Sequence, residues 1–329
     1  MKPRFAALCC YYGQWPGYFA VWLKSCSYLP DIDFILVSDI PTAGYDVPAN
    51  VHMVPMSFAE VRSRVVHKFP EITVSLDRPY KLCDFKVAYG YVFDDLFCGY
   101  DYWGFYDIDT IWGDVFCGLK RQGGRAEAFG EGLVKIFPCG HLSFIRNKAP
   151  WNKIFELVND VAGTPCRNNM QGRSVVTWQE CFSSPDSHYY DEEGGLEPML
   201  EWRRQQEPQQ IEIYDKVDFD NILPAWRFDH FRSINFPEKS HCLVYSFASG
   251  HIYRHYLKGL SVQKEEVSYV HLSRRRLHVA LPLQNMPDRF ILYPNTIAAF
   301  CDWTLLRVLW LGRPRYLSNL LRRIMSRFL

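Results

Sequence analysis

The sequence predicts an α/β fold, a mainly parallel sheet flanked by helices. Three observations predict it. Short apolar runs that suit buried strands alternate with segments of helical apolar spacing, the order that builds a parallel sheet covered by helices. The 329 residues can bury a large core, as one α/β domain or one domain with an appendage. Hydrophobic residues at 48% and charged residues at 22% are those of an ordinary globular protein.

Taken in order, Phe5 to Tyr12 reads as a buried strand, and Gly13 to Gly17 as a turn-rich loop. Tyr18 to Leu29 has helical spacing through Phe19, Trp22, Leu23 and Cys26. Asp33 to Ser38 reads as a second strand, ending at Asp39 and Pro41, and Val51 to Pro55 as a short third. Phe58 to Lys68 reads as a helix. So does the segment from Asp84 to Phe97, with Phe85, Ala88, Tyr89, Val92, Phe93 and Leu96 on one face. The aromatic run Tyr102 to Tyr106 is a strand that ends in acidic residues. Leu142 to Arg146 reads as a strand and Trp151 to Val161 as a helix. The polar stretch from Gly163 to Ser187 carries few periodic signals and reads as a mobile loop or an insertion. Residues 211 to 280 read as short strands separated by turns. From Ile297 to Leu311 the chain reads as a very apolar helix, and Arg313, Arg315, Arg322, Arg323 and Arg327 follow it.

Composition excludes several classes. A formal net charge of +1 makes no general case for nucleic acid. Eleven scattered cysteines with no CxxC pair, Cys9 and Cys10 being adjacent, suit a reducing cytosol and neither a disulfide framework nor a zinc site. The opening residues show no signal-peptide pattern, because Gln14 and Pro16 interrupt the first apolar run. No stretch of eighteen uncharged apolar residues predicts a spanning helix.

The densest motif is Tyr102-Trp103-Gly104-Phe105-Tyr106-Asp107-Ile108-Asp109-Thr110-Ile111-Trp112-Gly113-Asp114. Residues two apart on an extended chain point the same way. Aspartate is depleted inside strands, so Asp107 and Asp109 where the strand runs out suggest a site; the plainer alternative is an acidic turn. Two hard oxygen ligands on one side suit Mg2+ or Mn2+ shared with a substrate phosphate. The pair has the form of the DxD motif of sugar-nucleotide glycosyltransferases.

Upstream stands Arg78-Pro79-Tyr80-Lys81-Leu82-Cys83-Asp84-Phe85-Lys86-Val87-Ala88-Tyr89-Gly90-Tyr91. This order resembles a bacterial family of polysaccharide-biosynthesis glycosyltransferases of GT-A type. In that family a basic "RPYK.CD.KPAYG" segment precedes "YDFWG.CDIDLIFGD". Val87 stands where the family has Pro, and Tyr106 replaces the family's residue before the first Asp. Further matches are the segments from Gly140 to Asn147, Tyr190 to Gly195 and Tyr269 to Arg276. The resemblance runs from about residue 5 to 280.

The resemblance implies a GT-A-like (Rossmann-like) domain over residues 1–296, with 1–115 as the nucleotide-sugar half and 116–296 as the acceptor half. A basic amphipathic helical tail would occupy 297–329. It implies a metal-dependent transfer of sugar from a nucleotide-sugar donor to a capsule, O-antigen or lipopolysaccharide acceptor. Mn2+ or Mg2+ would be bound by Asp107, Asp109 and the late His271; alternatively His271 is a hydrogen-bonded strand residue. Arg78, Lys81, Asp84 and Lys86 would hold the diphosphate and sugar hydroxyls, the plainer reading being a solvated helix start with Asp84 as N-cap. Arg274, within the run Arg274-Arg275-Arg276, would touch phosphate. Tyr11, Tyr12, Gly13 and Asp39 lie where strands end, the usual place for a ligand in such sheets, and would also contact the donor. Asp191 or Glu192, before Gly194-Gly195, would be the base that activates the acceptor, or else part of an acidic surface loop. The tail suits either peripheral contact with anionic membrane or a helical hairpin packed on the core. Two rival readings remain: a phosphate-ester hydrolase or nucleotidyltransferase using the same metal, and a non-catalytic sugar- or lipid-binding protein. The expected location is cytoplasmic, or peripheral on the inner face of the cytoplasmic membrane.

Overall fold

The computed structural model describes residues 3–116, 132–161, 178–185, 200, 204–205, 210–214, 219–221, 244–258, 260–272, 277–293, 296–302, 304 and 307–308. It is an α/β structure. The principal sheet has seven strands: β1 (Phe5–Cys10), β2 (Ile32–Ser38), β3 (Val51–Pro55), β4 (Tyr102–Tyr106), β6 (Leu133–Cys139), β7 (Leu142–Arg146) and β8 (Ile211–Tyr214). Their order across the sheet is β3-β2-β1-β4-β7-β6-β8. The pairings from β3 to β4 are all parallel, β7 is antiparallel to both its neighbours, and β8 runs parallel to β6. The chain steps outward from β1 to β3, then returns to add β4 on the other side of β1. Strand order therefore reverses between β1 and β4, and the crevice at their carboxyl ends is where such sheets hold ligands.

Alternation along β1 shows how the sheet is buried on both faces. Ala6 and Leu8 pack with helix α2 (Phe58–Lys68), helix α3 (Tyr89–Val92) and the 3-10 turns around α3. Phe5, Ala7 and Cys9 pack on the opposite face with helix α1 (Phe19–Cys26). α1 is buried almost all round because it lies between two sheets. Phe19, Trp22, Leu23 and Cys26 meet the principal sheet. Tyr18, Ala20 and Val21 meet a second sheet through Tyr245, Phe247, Phe290 and Leu292. That second sheet contains β10 (Val244–Ala248), β11 (His251–Lys258), β12 (Ser261–Val267), β14 (His278–Val279), β15 (Arg289–Tyr293) and β16 (Thr296–Ala299). A third, small sheet joins β5 (Thr110–Trp112), β13 (Tyr269–His271) and β9 (Phe219–Asn221), with β13 in the middle.

Three sequence expectations are corrected. The segment from Asp84 to Phe97 is not one helix: 3-10 turns at Lys86–Ala88 and Asp94–Phe97 flank the four-residue α3. Gly90 and the β-branched and aromatic residues around it are weak helix formers. The Trp103 ring also packs against Gly90, occupying the space a Cβ would need. The polar stretch is not loop throughout, since Trp178–Ser183 forms helix α4 with Trp178, Cys181 and Phe182 buried, while residues 163–177 and 186–187 lie outside the described residues. The expected tail helix does not begin at Ile297. Residues 296–299 are β16, paired with β15 and β14, and Ile297 is buried while its neighbours are not. Cross-strand pairing overrides the local preference of an Ala-rich run, so the division at 296/297 cuts a strand. Most of the basic tail lies outside the described residues. Among the described residues no helix is long and apolar enough to cross a membrane.

The second sheet carries a pH-sensitive element. His255 of β11 is 5% exposed, and its Nε2 lies 2.7 Å from the Ser246 hydroxyl. Burial, then the charge of its cross-strand partner Lys264, pushes its pKa down to about 4. An unfolded chain takes up this proton first as pH falls below about 6.5. Stability is therefore lost on acidification, from near neutrality down to pH 4, by about 2 kcal/mol at pH 5. His255→Gln keeps a polar group for Ser246 and cannot titrate. Urea unfolding of the variant should lose about 2 kcal/mol less than the parent between pH 7.5 and pH 5. Equal losses would contradict this role.

Candidate metal centre

β4 ends at Tyr106, and the next three residues turn the chain from the principal sheet into β5. The turn is pinned by its own backbone. The Asp107 N–H donates to the His141 carbonyl at 3.0 Å, and the Thr110 hydroxyl donates to the Asp107 carbonyl at 2.6 Å. The Leu272 N–H donates to the Asp109 carbonyl at 2.7 Å. β13 pairs antiparallel with β5, placing His271 opposite Thr110. A residue late in the chain thus arrives beside the acidic pair. His271 Nε2 is 3.2 Å from Asp109 Oδ1 and 4.0 Å from Asp107 Oδ2. One ligand atom from each of Asp107, Asp109 and His271 lies within 4.8 Å of the others. The His271 and Asp109 side chains are 12% and 13% exposed and that of Asp107 is 26% exposed, so the set opens on the Asp107 side. Two carboxylate oxygens and an imidazole nitrogen form a donor set that suits a divalent ion.

Lys86 underlies this set. Its Nζ donates to Asp107 Oδ1 and, at 2.9 Å, to the Gly140 carbonyl. Burial alone would strip its proton, but the Asp107 carboxylate more than offsets this and raises its pKa, so Lys86 stays charged. His141 is a participant that sequence reasoning missed. Its ring stacks on His271 with centroids 4.0 Å apart, and its Nδ1 is 3.3 Å from the Tyr269 hydroxyl. Burial, then the neighbouring His271, pushes its pKa well down and favours a neutral ring.

 The signal that could have found it is strand pairing. β7 runs antiparallel to β4 with Leu142 opposite Tyr106, so the residue before Leu142 must lie beside Asp107.

The other expected site residues separate into three groups. Tyr11 lies at the end of β1, stacks on Trp15 and donates its hydroxyl to the Gln14 carbonyl at 3.0 Å. Burial, then the charges of Cys9 and Asp109, raises its pKa. Gly13 follows with φ +105°, a backbone conformation that side chains rarely allow. Tyr12 turns the other way and donates to the Met56 carbonyl at 3.2 Å, and the exposed Asp39 is among the charges that raise its pKa. In the basic segment Arg78 is exposed, whereas Lys81 and Asp84 are buried and joined by a 3.0 Å ion pair. Asp84 follows a 3-10 turn at Pro79–Cys83, and Phe85, not Asp84, is the residue before the next one. Asp191, Glu192 and Arg274 lie outside the described residues.

Fold and site together define an α/β protein with an Asp-Asp-His set at the strand-order reversal of its principal sheet. The chain belongs to a family described only as of unknown function, DUF6625, whose pattern matches residues 7–300. The match spans all three members of the set. No curated protein matches the chain.

Proposed function

We propose that this protein is a metal-dependent glycosyltransferase of GT-A type, moving sugar from a nucleotide-sugar donor to a cell-surface glycan acceptor. The observation that carries the reading is the meeting of Asp107, Asp109 and His271 at the carboxyl ends of β1 and β4. These are residues from two distant segments, and their donor atoms are those that a Mn2+ or Mg2+ ion takes. Such an ion would supply Lewis-acid neutralisation of a departing diphosphate. The chain's own contribution is to fix the ligands. The pairing of β5 with β13 brings His271 beside Asp109, which lies in the turn just before β5, and Lys86 holds Asp107. Tyr11 and Gly13, which follow the carboxyl end of β1, remain proposed donor contacts. Asp191 and Glu192 remain the proposed source of the acceptor base, on the resemblance. The basic tail remains a proposed contact with anionic lipid.

Thermal unfolding with nucleotide sugars tests the reading. A ligand at one hundred times its Kd stabilises the native state by about 2.7 kcal/mol. At least one nucleotide sugar should raise the melting temperature in the presence of Mn2+ and fail to do so in EDTA. No shift with any nucleotide sugar would overturn the proposal. Release of free nucleotide with glycan acceptor, and not with water, separates a transferase from a hydrolase; binding with no release identifies a binding protein.

A further inference from the structure

We propose that Lys86 is a positioning residue that leaves Asp107 a single oxygen for the metal and thereby selects small divalent ions over Ca2+. The inference rests on the metal-centre reading and deepens it. Lys86 has an 8% exposed side chain and donates to Asp107 Oδ1, so it cannot swing into solvent without leaving its partners. The Gly140 carbonyl, 2.9 Å from Nζ, holds the ammonium from a second direction. The Asp107 backbone is fixed at both ends by His141 and Thr110. The carboxylate therefore presents Oδ2 toward His271, at 4.0 Å, and keeps Oδ1 on the lysine.

An ion in this set meets Asp107 through one oxygen only. Mg2+ demands an octahedral shell at short distances, which single-oxygen carboxylates and water can complete. Ca2+ takes six to eight oxygens at longer distances and often grips a carboxylate through both. The lysine blocks that second grip. This chemistry is separable from charge. Removing the ammonium alters the electrostatic attraction for any divalent ion alike, so affinities for Mn2+ and Ca2+ shift together. With Asp109 and His271 unchanged, a change in the number of oxygens that Asp107 offers alters their ratio.

The experiment is titration of the full chain with MnCl2 and with CaCl2 by calorimetry, for the parent and for Lys86→Met, which keeps length and removes charge. The parent should bind Mn2+ at least about tenfold more tightly than Ca2+. The variant should narrow that ratio by roughly tenfold or more, the scale on which outer partners of a metal site act. A variant ratio equal to the parent's overturns the role of Lys86 and leaves the metal-centre reading intact. A parent that binds Ca2+ as tightly as Mn2+ also overturns it, and this arm needs no variant to fold. A parent that binds neither ion overturns both readings.

Discussion

Asp109→Asn is expected to lower Mn2+ affinity by at least about 100-fold while the chain folds as before. Losing even an outer partner of a metal site costs up to about 100-fold, and Asp109 is proposed as a direct ligand. The substitution removes a charge with almost no change of shape. The local backbone does not depend on that charge, because the Asp109 carbonyl accepts from Leu272 at 2.7 Å and β13 remains paired with β5. Mn2+-dependent binding of nucleotide should fall with the metal. Calorimetry of both ligands measures the effect, and circular dichroism checks the fold. Unchanged Mn2+ affinity in a folded variant would remove Asp109 from the site.

Gly104→Ala should have the largest effect on stability. Gly104 sits in the middle of β4, opposite Phe144 of β7. A Cβ there would lie 2.2 Å from the Ser143 carbonyl oxygen and 2.8 Å from the Phe144 ring. The first neighbour is backbone, held in the sheet, and cannot rotate aside. Overpacking of this kind costs about 3 kcal/mol at the upper end of its usual range. That is roughly a 100-fold loss in the folding equilibrium. Relief would require β4 and β7 to separate, and Asp107 lies one residue beyond the end of β4. Urea unfolding should show the loss, and Mn2+ affinity of the molecules still folded should fall with it. A loss below about 1 kcal/mol would mean that the sheet accommodates the methyl group.

The parts of the fold that were legible in sequence are those in which local and tertiary preferences agree. Phe58–Lys68 begins at Ser57, whose side chain and that of Glu60 satisfy each other's backbone N–H groups, and a helix starts where such a box stands. β1 and β2 are short apolar runs bounded by turns, and burial on both faces requires just that composition. The acidic pair stood out as a candidate because a strand end rich in aromatics followed by two aspartates has few structural uses, and His271 was a candidate only through the resemblance. Their proximity was not legible. It depends on β13 choosing β5 as its partner, and no local pattern in Tyr269–His271 states that choice. His141 was hidden for the same reason. Lys86 was legible as a site residue, but its partner was not: one basic side chain in sequence looks the same whether it faces a ligand's phosphate or a carboxylate of its own chain. The strand at Thr296–Ala299 was read as helix because a segment of four residues carries too little periodicity to separate the two.

The contact between Asp109 and His271 joins positions 162 residues apart (271 minus 109). During synthesis, Asp109 leaves the ribosome long before its partner exists. The amino-terminal strands can pair early, yet the three-sided set is complete only when β13 has emerged and taken its place between β5 and β9. Closing so long a loop costs little more than closing a shorter one, since the entropy grows only with the logarithm of length. A cation that bridged its ends would act as a clasp on that loop, and the stabilisation it gave would come only once β13 was in place. Occupancy of the set would thus report that β13 has taken its place between β5 and β9, so that a bound cation would mark a step of assembly.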